Sequence, residues 1–286
     1  MVSEAWHEGE SEGGDRIMNG IETKGQAGSC TTLALDTSTA TLATAVTRDG
    51  AVLGSSQSYA ERNHSVYVTS QMKELLQSSR TPAGEVDVIA VGQGPGSYTG
   101  VRIAVTAAKT LAWIWKKPLV GVSSLEAMAY GFWLRKREEA DERDGREVWV
   151  VPLMDARRGQ VYVARFAIRE DGSWHRAEED GIRLFKEWFG SLEQLAQAGK
   201  PPGEVWFVSE NGEVAAKLLG EPVGHAAASG IYSEAAYSMD AGAIGLLAEA
   251  RYRQGKASVV HDFVPNYTQL TEAEVKLNAA RSESAT

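Results

Sequence analysis

The sequence predicts an α/β fold made of two lobes, each a mixed sheet flanked by helices. Short β-rich runs alternate with helical segments in the first half, a pattern typical of α/β proteins with a partly parallel sheet. A stretch at 135–147, in which eleven of thirteen residues are charged, divides the chain near its middle. The order strand, Asp, turn, strand, Asp-Gly turn and strand occurs before this stretch and again after it, which indicates a duplication.

The first lobe opens with three short strands, predicted at 32–35, 41–47 and 51–59 from their β-rich composition. The first of these strands ends at Asp36. The Asp49-Gly50 pair between the second and third runs is a strong hairpin signal, because both residue types tolerate a positive φ.

Helices and buried strands alternate through the rest of the first lobe. Residues 65–79 carry apolar side chains on a broad helical face, and the apolar run at 86–91 predicts a buried strand. Four glycines follow within nine residues, in GQGPGSYTG, and lead into an Ala-rich helix predicted at 99–115. A strand at 119–124 and a helix at 125–134 complete this lobe.

The second half repeats the same order of strands and turns. One strand ends at Asp155, and an Asp171-Gly172 turn joins two more strands. A strand is predicted at 205–209 and a helix at about 240–254. The repeat is visible in the order of elements rather than in residue identity.

These patterns define four segments. Residues 1–30 hold six acids, two bases and no periodicity, and are predicted to form a disordered acidic extension. The N-terminal lobe is assigned to 31–134, the charged linker to 135–147 and the C-terminal lobe to 148–286. The chain carries a net charge of −9, which argues against a dedicated nucleic-acid binder because phosphate recognition needs clustered Lys and Arg.

Composition predicts a globular protein of the cytoplasm. Hydrophobic residues make up 43% and charged residues 23% of the chain, the usual proportions of globular domains. Cys30 is the only cysteine, which fits a reducing compartment. No apolar run approaches the length of about 18 residues that a membrane span needs, and the N-terminus lacks a secretory apolar segment. We therefore expect no membrane contact.

The glycine loop is the first candidate site. It departs from the P-loop, which needs a Lys after its last glycine, because Val101 and Arg102 follow Gly100. It is also one residue too long for the dinucleotide fingerprint. A helix N-terminus still attracts anions, so a phosphate or nucleotide site and simple tight packing both stay open. The residues that would form the phosphate site are Asp36, Thr37, Ser38, Gly94, Gly96 and Ser97.

The helix predicted after the loop is the second candidate. Apolar residues cover most of its circumference, which indicates burial on both sides. Ala104, Ala108 and Ala112 recur every four residues and would allow close approach of a neighbour. Two interpretations stay open: a central core helix covered by the 65–79 helix, or a partner surface formed by both helices.

Catalytic and metal-binding patterns are absent from the sequence. No two of the five histidines lie within five residues of each other, so there is no H-x-x-x-H pair. There is no G-x-S-x-G nucleophile motif either. Asp155 occupies the place in the second half that Asp36 has in the first, and two such acids facing one cleft would suit a magnesium–nucleotide complex. We predict no catalytic residue and no metal ligand.

Several motifs in order resemble the TsaB family, also called YeaZ. They are LALDTST, RNHS, VGQGPGSYTGVRIAVTAAKTLA, GVSSLEAMA and MDARRGQVY. The family belongs to bacterial tRNA threonylcarbamoyladenosine synthesis and is related to the TsaD/Kae1, formerly glycoprotease-like (M22), group. The resemblance implies duplicated lobes of the actin-like (ASKHA, ribonuclease H-like) fold. Pro265 and Tyr267 resemble the family's C-terminal segment, although Thr268 and Gln269 stand where an Arg is usual.

The resemblance also implies a role for this chain. TsaD carries a metal-binding histidine pair, and Ser124 and Met128 stand at those positions here, so we expect no metal. The expected function is a non-catalytic dimerisation or scaffold subunit that activates TsaD for N6-threonylcarbamoylation of adenosine 37 in ANN-decoding tRNAs. The alternative is a nucleotide-dependent transferase or phosphotransferase with its own site in the cleft.

Partners follow from the same resemblance. The expected partners are a TsaD-like catalytic subunit, a TsaE-like ATPase and a second copy of this chain when it is alone, with tRNA reached only indirectly. No cofactor of its own is expected, although ATP or ADP could be present in the complex. The residues expected at the partner interface are Val66, Met72, Leu76, Val101, Ala104, Ala108 and Leu111.

Overall fold

The structure is a computed structural model in which two five-stranded mixed sheets are packed together with helices. It describes residues 28–59, 63–139, 145–198, 200–226 and 230–268. Among these residues, no helix is long and apolar enough to cross a lipid bilayer.

The first sheet has the strand order β3-β2-β1-β4-β5. Its strands are β1 (Thr31–Asp36), β2 (Thr41–Arg48), β3 (Ala51–Tyr59), β4 (Val88–Gly92) and β5 (Leu119–Val122). The first three form an antiparallel meander, whereas β4 and β5 run parallel to β1. Asp49 and Gly50 both have positive φ, 49° and 81°, so the hairpin turn lies where the sequence predicts it.

Three α-helices lie among the described residues of the first half of the chain. They are α1 (His64–Ser78), α2 (Tyr98–Trp115) and α3 (Ser124–Glu139). The side chain of Ser97 caps α2 by accepting from the backbone N–H of Gly100 at 3.3 Å. At its other end α2 stops at Lys116, which adopts the left-handed conformation with φ 54°.

The second sheet repeats the connectivity of the first, with the order β8-β7-β6-β9-β10. Its strands are β6 (Val148–Arg157), β7 (Gln160–Ile168), β8 (Trp174–Leu184), β9 (Glu204–Ser209) and β10 (Tyr232–Ala236). Again the first three are antiparallel and the last two run parallel to the first of them. The predicted fold class, with duplicated lobes and mixed sheets flanked by helices, is confirmed.

Four α-helices lie among the described residues of the second half of the chain. They are α4 (Phe185–Gln197), α5 (Val214–Leu219), α6 (Val223–Ala226) and α7 (Ala241–Arg253). The sequence predicted α7 but not α4, although α4 has a regular apolar stripe at 185, 188, 189, 192 and 196, all buried. Strand β10 was also missed, because its alternation is weak and most of it is only half-buried.

The last helix of each lobe covers the sheet of the other lobe. Helix α7 packs across all five strands of the first sheet, while α3 packs on β6, β7 and β9 and against α7. A Cβ at Gly245 in α7 would lie 2.5 Å from a Thr47 methyl carbon in β2, so glycine permits the close approach. The lobes therefore share one central apolar core, and two outer cores lie beneath α1–α2 and beneath α4–α5.

A carboxylate of the second lobe also holds the first lobe by hydrogen bonds. Glu210, directly after β9, accepts from the Thr41 hydroxyl at 2.6 Å, the Thr39 hydroxyl at 2.9 Å and the Ala40 N–H at 3.3 Å. All three donors lie in the β1–β2 turn or at the start of β2. These bonds fix the first lobe's turn against the end of β9.

Segment boundaries differ in two places from the sequence-based expectation. Cys30, the last residue of the predicted acidic extension, lies one residue before β1 and is buried in the shared core. Helix α3 runs to Glu139, five residues into the predicted charged linker 135–147. Residues 1–27 and 140–144 lie outside the described part, as does the tail from 269, so the four-segment division stays a prediction.

Candidate functional site

The β1–β2 turn and the glycine loop form one hydrogen-bonded unit around Asp36. The Asp36 Oδ1 accepts from the Ser38 N–H at 2.6 Å and the Ser38 hydroxyl at 2.7 Å. Its Oδ2 accepts from the Ser124 hydroxyl at 2.7 Å, and that Ser124 oxygen accepts from the Gly94 N–H at 3.1 Å. The buried carboxylate thus ties the turn to both the glycine loop and the start of α3.

The glycines lie where backbone approaches backbone or carboxylate. A Cβ at Gly100 would lie 1.9 Å from the Thr37 carbonyl oxygen, and one at Gly96 would lie 2.5 Å from the Ser38 carbonyl oxygen. The Thr37 hydroxyl donates to the Gly100 carbonyl at 2.6 Å. Tight packing of the loop onto the β1–β2 turn accounts for these glycines without a phosphate.

The structure brings the six predicted phosphate-site residues together but turns several of them inward. Ser38, Gly96 and Ser97 line a cleft of about 1000 Å³ between the lobes, and Asp155 of the second half lines the same cleft. Asp36 and Thr37 are fully buried and do not line it. Burial raises the pKa of the Asp36 carboxyl, against the opposing effect of its Ser124 and Ser38 donors. Asp36 therefore lacks the open coordination position that a bound magnesium–phosphate would need.

Ser124 and Met128 both serve the fold. The Ser124 hydroxyl is used by Asp36 and Gly94, and the Met128 side chain is fully buried in the shared core. Within the described ranges, no group of three or more His, Cys, Asp and Glu side chains is placed to hold a metal ion.

The outer face of α1 and α2 carries two grooves. The larger, about 530 Å³, is lined mainly by apolar groups, with Met72, Leu76, Leu111 and Trp115 among them. A second groove of about 460 Å³ lies towards the N-termini of the two helices, between Val68 on α1 and residues of the first turns of α2. Both openings face solvent, so this face offers apolar surface that the chain itself does not cover.

Four of the seven predicted interface residues are buried within the chain. Val101, Ala104 and Ala108 are buried in the outer core beneath α1 and α2, together with strand residues of β1 and β4, so they cannot contact a partner from inside that core. Met72 is also buried and forms part of a groove floor. The small side chains bring α2 close to its own sheet, which corrects the assignment of these positions to a partner surface.

The remaining predicted interface residues lie on the outer face. Val66 is 67% exposed, and Leu76 and Leu111 are half-buried at the larger groove. The expected burial of α2 on both sides is not met within the chain, because Trp113 and Ile114 are 65% and 60% exposed.

An aromatic–arginine cluster at the start of α2 was missed by sequence reasoning. The Arg102 guanidinium lies 4.0 Å from the Tyr98 ring centroid and donates from Nε to the Tyr267 hydroxyl at 2.9 Å. Both Tyr98 and Arg102 line the smaller groove. Tyr and Arg are enriched at protein interfaces, so the pair Tyr98 and Arg102 one helical turn apart was the available signal.

In a comparison with protein-family models, residues 43–277 match the model described as TsaD, tRNA N6-adenosine threonylcarbamoyltransferase. The chain is 32% identical to the tRNA threonylcarbamoyladenosine biosynthesis protein TsaB of Bacillus subtilis, over 86% of this chain and 97% of that protein. It is also 32% identical to the Escherichia coli protein of the same name, over 61% of this chain and 71% of that protein.

Solved structures agree with the fold. The chain is similar to YeaZ from Pseudomonas aeruginosa, with a TM-score of 0.64 and 23% identity, over 83% of this chain and 99% of that one. At this level of identity the likeness establishes the shared two-lobed architecture.

Proposed function

The chain belongs to the family of the TsaD model and, within it, to the TsaB proteins, and we propose that it is a non-catalytic subunit that binds and activates a TsaD-type threonylcarbamoyltransferase. The reaction of that assembly is N6-threonylcarbamoylation of adenosine 37 in ANN-decoding tRNAs. In this role the chain contributes a binding surface, and the catalytic subunit contributes the chemistry.

The observation that carries this proposal is the uncovered apolar face of α1 and α2. Its larger groove is apolar along the floor and is bordered by Lys73 and Arg80, the arrangement of an apolar centre with a polar rim found in protein interfaces. Exposed Val66 extends the apolar surface along α1. A partner helix or loop of matching shape would remove this surface from water, at roughly 25 cal/mol per Å² of apolar area.

The state of Ser124 and Met128 supports the absence of catalysis in this chain. The Ser124 hydroxyl is hydrogen-bonded to Asp36 and Gly94, and the Met128 side chain is packed in the shared core. Neither is available as a ligand or as a reacting group. The transferase alternative draws no support from Asp36, because its carboxylate is enclosed and fully used by internal donors.

The proposal also covers the other members of the assembly and its location in the cell. The α1–α2 face serves a second copy of this chain when TsaD is absent, and a TsaE-like ATPase joins the complex. ATP or ADP is held by the other subunits, and tRNA is bound through them. We place the assembly in the cytoplasm, where tRNA modification takes place.

The test is formation of threonylcarbamoyladenosine on unmodified tRNA by the organism's TsaD-like, TsaE-like and adenylate-forming proteins, with this chain added or omitted. Product only when both this chain and the TsaD-like protein are present is the expected result. Product without the TsaD-like protein would assign catalysis to this chain, and product without this chain would remove the activating role. Either result overturns the proposal.

The interface is tested with Leu111→Arg, Val66→Arg and the control Leu195→Arg. Leu195 is a partly exposed leucine on α4, in the other lobe. The α1–α2 variants are expected to weaken TsaD binding about tenfold or more, because an unpaired charge buried at an interface costs several kcal/mol. If Leu111→Arg fails to fold, Val66→Arg still tests the face, because Val66 is exposed to solvent and its substitution does not disturb the core. Equal binding by all three variants would exclude this face.

A further inference from the structure

The start of α2 carries an exposed arginine that is held between two tyrosines. The Arg102 guanidinium carbon lies 4.0 Å from the centroid of the Tyr98 ring and 5.7 Å from that of the Tyr267 ring, both within the range of a cation–π contact. The two rings lie 5.9 Å apart and are tilted by 38°. Because Arg102 Nε also donates to the Tyr267 hydroxyl at 2.9 Å, the guanidinium has one defined orientation at the surface.

Tyr267 belongs to the segment that follows α7 and lies along α2. The Lys109 ammonium on α2 donates to the Phe263 carbonyl of this segment at 2.7 Å. The Asn266 N–H donates to the Gln93 carbonyl, just after β4, also at 2.7 Å. These two bonds fix the chain that leads to Tyr267, and its hydroxyl in turn orients the arginine.

The partners of Arg102 differ from those of the arginines that form ion pairs within the chain. Arg48, Arg176, Arg251 and Arg253 each contact a carboxylate at 2.9 Å or less. Arg102 forms no salt bridge with a residue of the described ranges, and its contacts are with tyrosines. One N–H is used at Nε, and the guanidinium fork holds four more on Nη1 and Nη2. A planar fork of this kind matches the two oxygens of a carboxylate.

The groove beside this arginine is mainly apolar. It has a volume of about 460 Å³ and contains Val68, Ile103 and Ala107. Of the described residues that line it, Arg102 is the only charged one and none is acidic. An occupant therefore needs an apolar group next to a negative charge. RNA phosphates match this surface less well, because RNA binding needs clustered Lys and Arg.

We propose that Arg102 binds an Asp or Glu side chain of the protein that occupies the α1–α2 face, with a neighbouring apolar side chain of that protein in the smaller groove. This inference rests on the proposed function, because the occupant is the TsaD-like subunit. Stacking on Tyr98 and the bond from Nε fix the guanidinium before the partner arrives, so less side-chain entropy is lost on binding. Tyr267 is a positioning residue, since it acts through Arg102.

The test measures the dissociation constant of the TsaD-like protein for the native chain and for three variants, at about 0.1 M and about 1 M salt, where the screening length is about 10 Å and about 3 Å. Arg102→Gln is expected to weaken binding about tenfold at the lower salt, as loss of an interface arginine does, and to reduce the salt dependence. Arg102→Lys should also bind more weakly, because lysine lacks the planar fork. The control Lys217→Gln removes one exposed positive charge from α5 and should bind as the native chain does.

Tyr267→Phe separates the orientation of the guanidinium from its charge. The variant removes the hydroxyl that Arg102 Nε contacts and keeps the ring. Binding is expected to weaken about threefold, the effect of one lost hydrogen bond. The native salt dependence should be retained, because Arg102 keeps its charge. Neither Tyr267→Phe nor Arg102→Gln should shift the urea-unfolding midpoint, since both side chains are exposed.

The outcomes distinguish this inference from the proposed function. If Leu111→Arg weakens binding while Arg102→Gln changes neither the affinity nor its salt dependence, the inference alone fails. Equal weakening by Lys217→Gln and Arg102→Gln would reveal only a long-range effect of charge and would also overturn it. If the native chain does not bind the TsaD-like protein, both fail. If Arg102→Gln lowers cross-linking of unmodified tRNA to the complex at unchanged TsaD affinity, the arginine binds a phosphate and the inference is wrong.

Discussion

Replacing Gly100 by Ala tests whether the glycine loop exists for packing. Gly100 is the third residue of α2, where an alanine has an ordinary helical backbone. Its Cβ would lie 1.9 Å from the Thr37 carbonyl oxygen, so either the β1–β2 turn or the helix must move. That movement would also break the 2.6 Å hydrogen bond from the Thr37 hydroxyl to the Gly100 carbonyl.

The expected magnitude follows from three contributions. Forcing an extra carbon into a packed site costs typically about 1–3 kcal/mol. The lost hydrogen bond adds about 1 kcal/mol, and the higher helix propensity of alanine returns about 1 kcal/mol. The net loss for Gly100→Ala is therefore about 1–3 kcal/mol, a substantial fraction of a typical stability of about 5–15 kcal/mol.

The assay is urea unfolding followed by circular dichroism, with Gly190→Ala as the matched control. Gly190 lies inside α4, and a Cβ there would meet nothing within 4 Å. The control is expected to gain about 0.5–1 kcal/mol from helix propensity alone, while Gly100→Ala unfolds at lower urea. If Gly100→Ala were as stable as Gly190→Ala, close packing would not explain the glycine at position 100. A phosphate site in the loop would then be the better interpretation.

Two other changes address carboxylates that accept several hydrogen bonds, the buried Asp36 and the half-buried Glu210. Burial raises the pKa of Asp36, so its stabilising contribution is full below the ordinary value near 4 and is lost as pH rises through the raised pKa. The difference in unfolding free energy between the native chain and Asp36→Asn should thus increase on acidification from pH 7, and a pH-independent difference would contradict it. Glu210→Gln is expected to cost about 1–3 kcal/mol and to speed hydrogen exchange at the Ala40 amide, whereas exposed Glu213→Gln should change neither. Unchanged exchange in Glu210→Gln would show that the inter-lobe bonds do not hold the turn.

Local signals predicted most of the fold. The Asp49-Gly50 turn, the apolar run that became β4 and the glycine loop before α2 each lie within two residues of their expected positions. The elements that were missed are determined by the strand or helix against which they pair or pack, and not by their own sequence pattern. Strand β10 is an edge strand with few buried side chains, so pairing to β9 determines its conformation and its own pattern does not.

The exchange of helices between the lobes could not be predicted in the same way. Helices α3 and α7 each have apolar residues that suit any sheet of the right width, and their sequences do not say which sheet they cover. The deciding contacts are at long range, such as the close approach of Gly245 to Thr47 and the bond from the Gly50 N–H to Glu249 at 3.0 Å. The charged stretch at 135–147, whose first five residues belong to α3, suggested a boundary, yet residues from both sides of it form the shared core.

The outer face of α1 and α2 shows most clearly what the periodicity of apolar residues leaves undetermined. An apolar pattern around α2 cannot tell which stripe meets the sheet and which meets a partner, since both need apolar side chains. Side-chain size distinguishes the two stripes of α2. The buried stripe carries small residues, at 100, 101, 104, 105, 108 and 112, and small residues let a helix lie close to a sheet. The neighbouring stripe of Ile103, Leu111 and Trp115 is larger and only partly covered. Large apolar residues beside a stripe of small ones are therefore the sequence signal that Leu111, and not Ala108, lies on the uncovered side of α2.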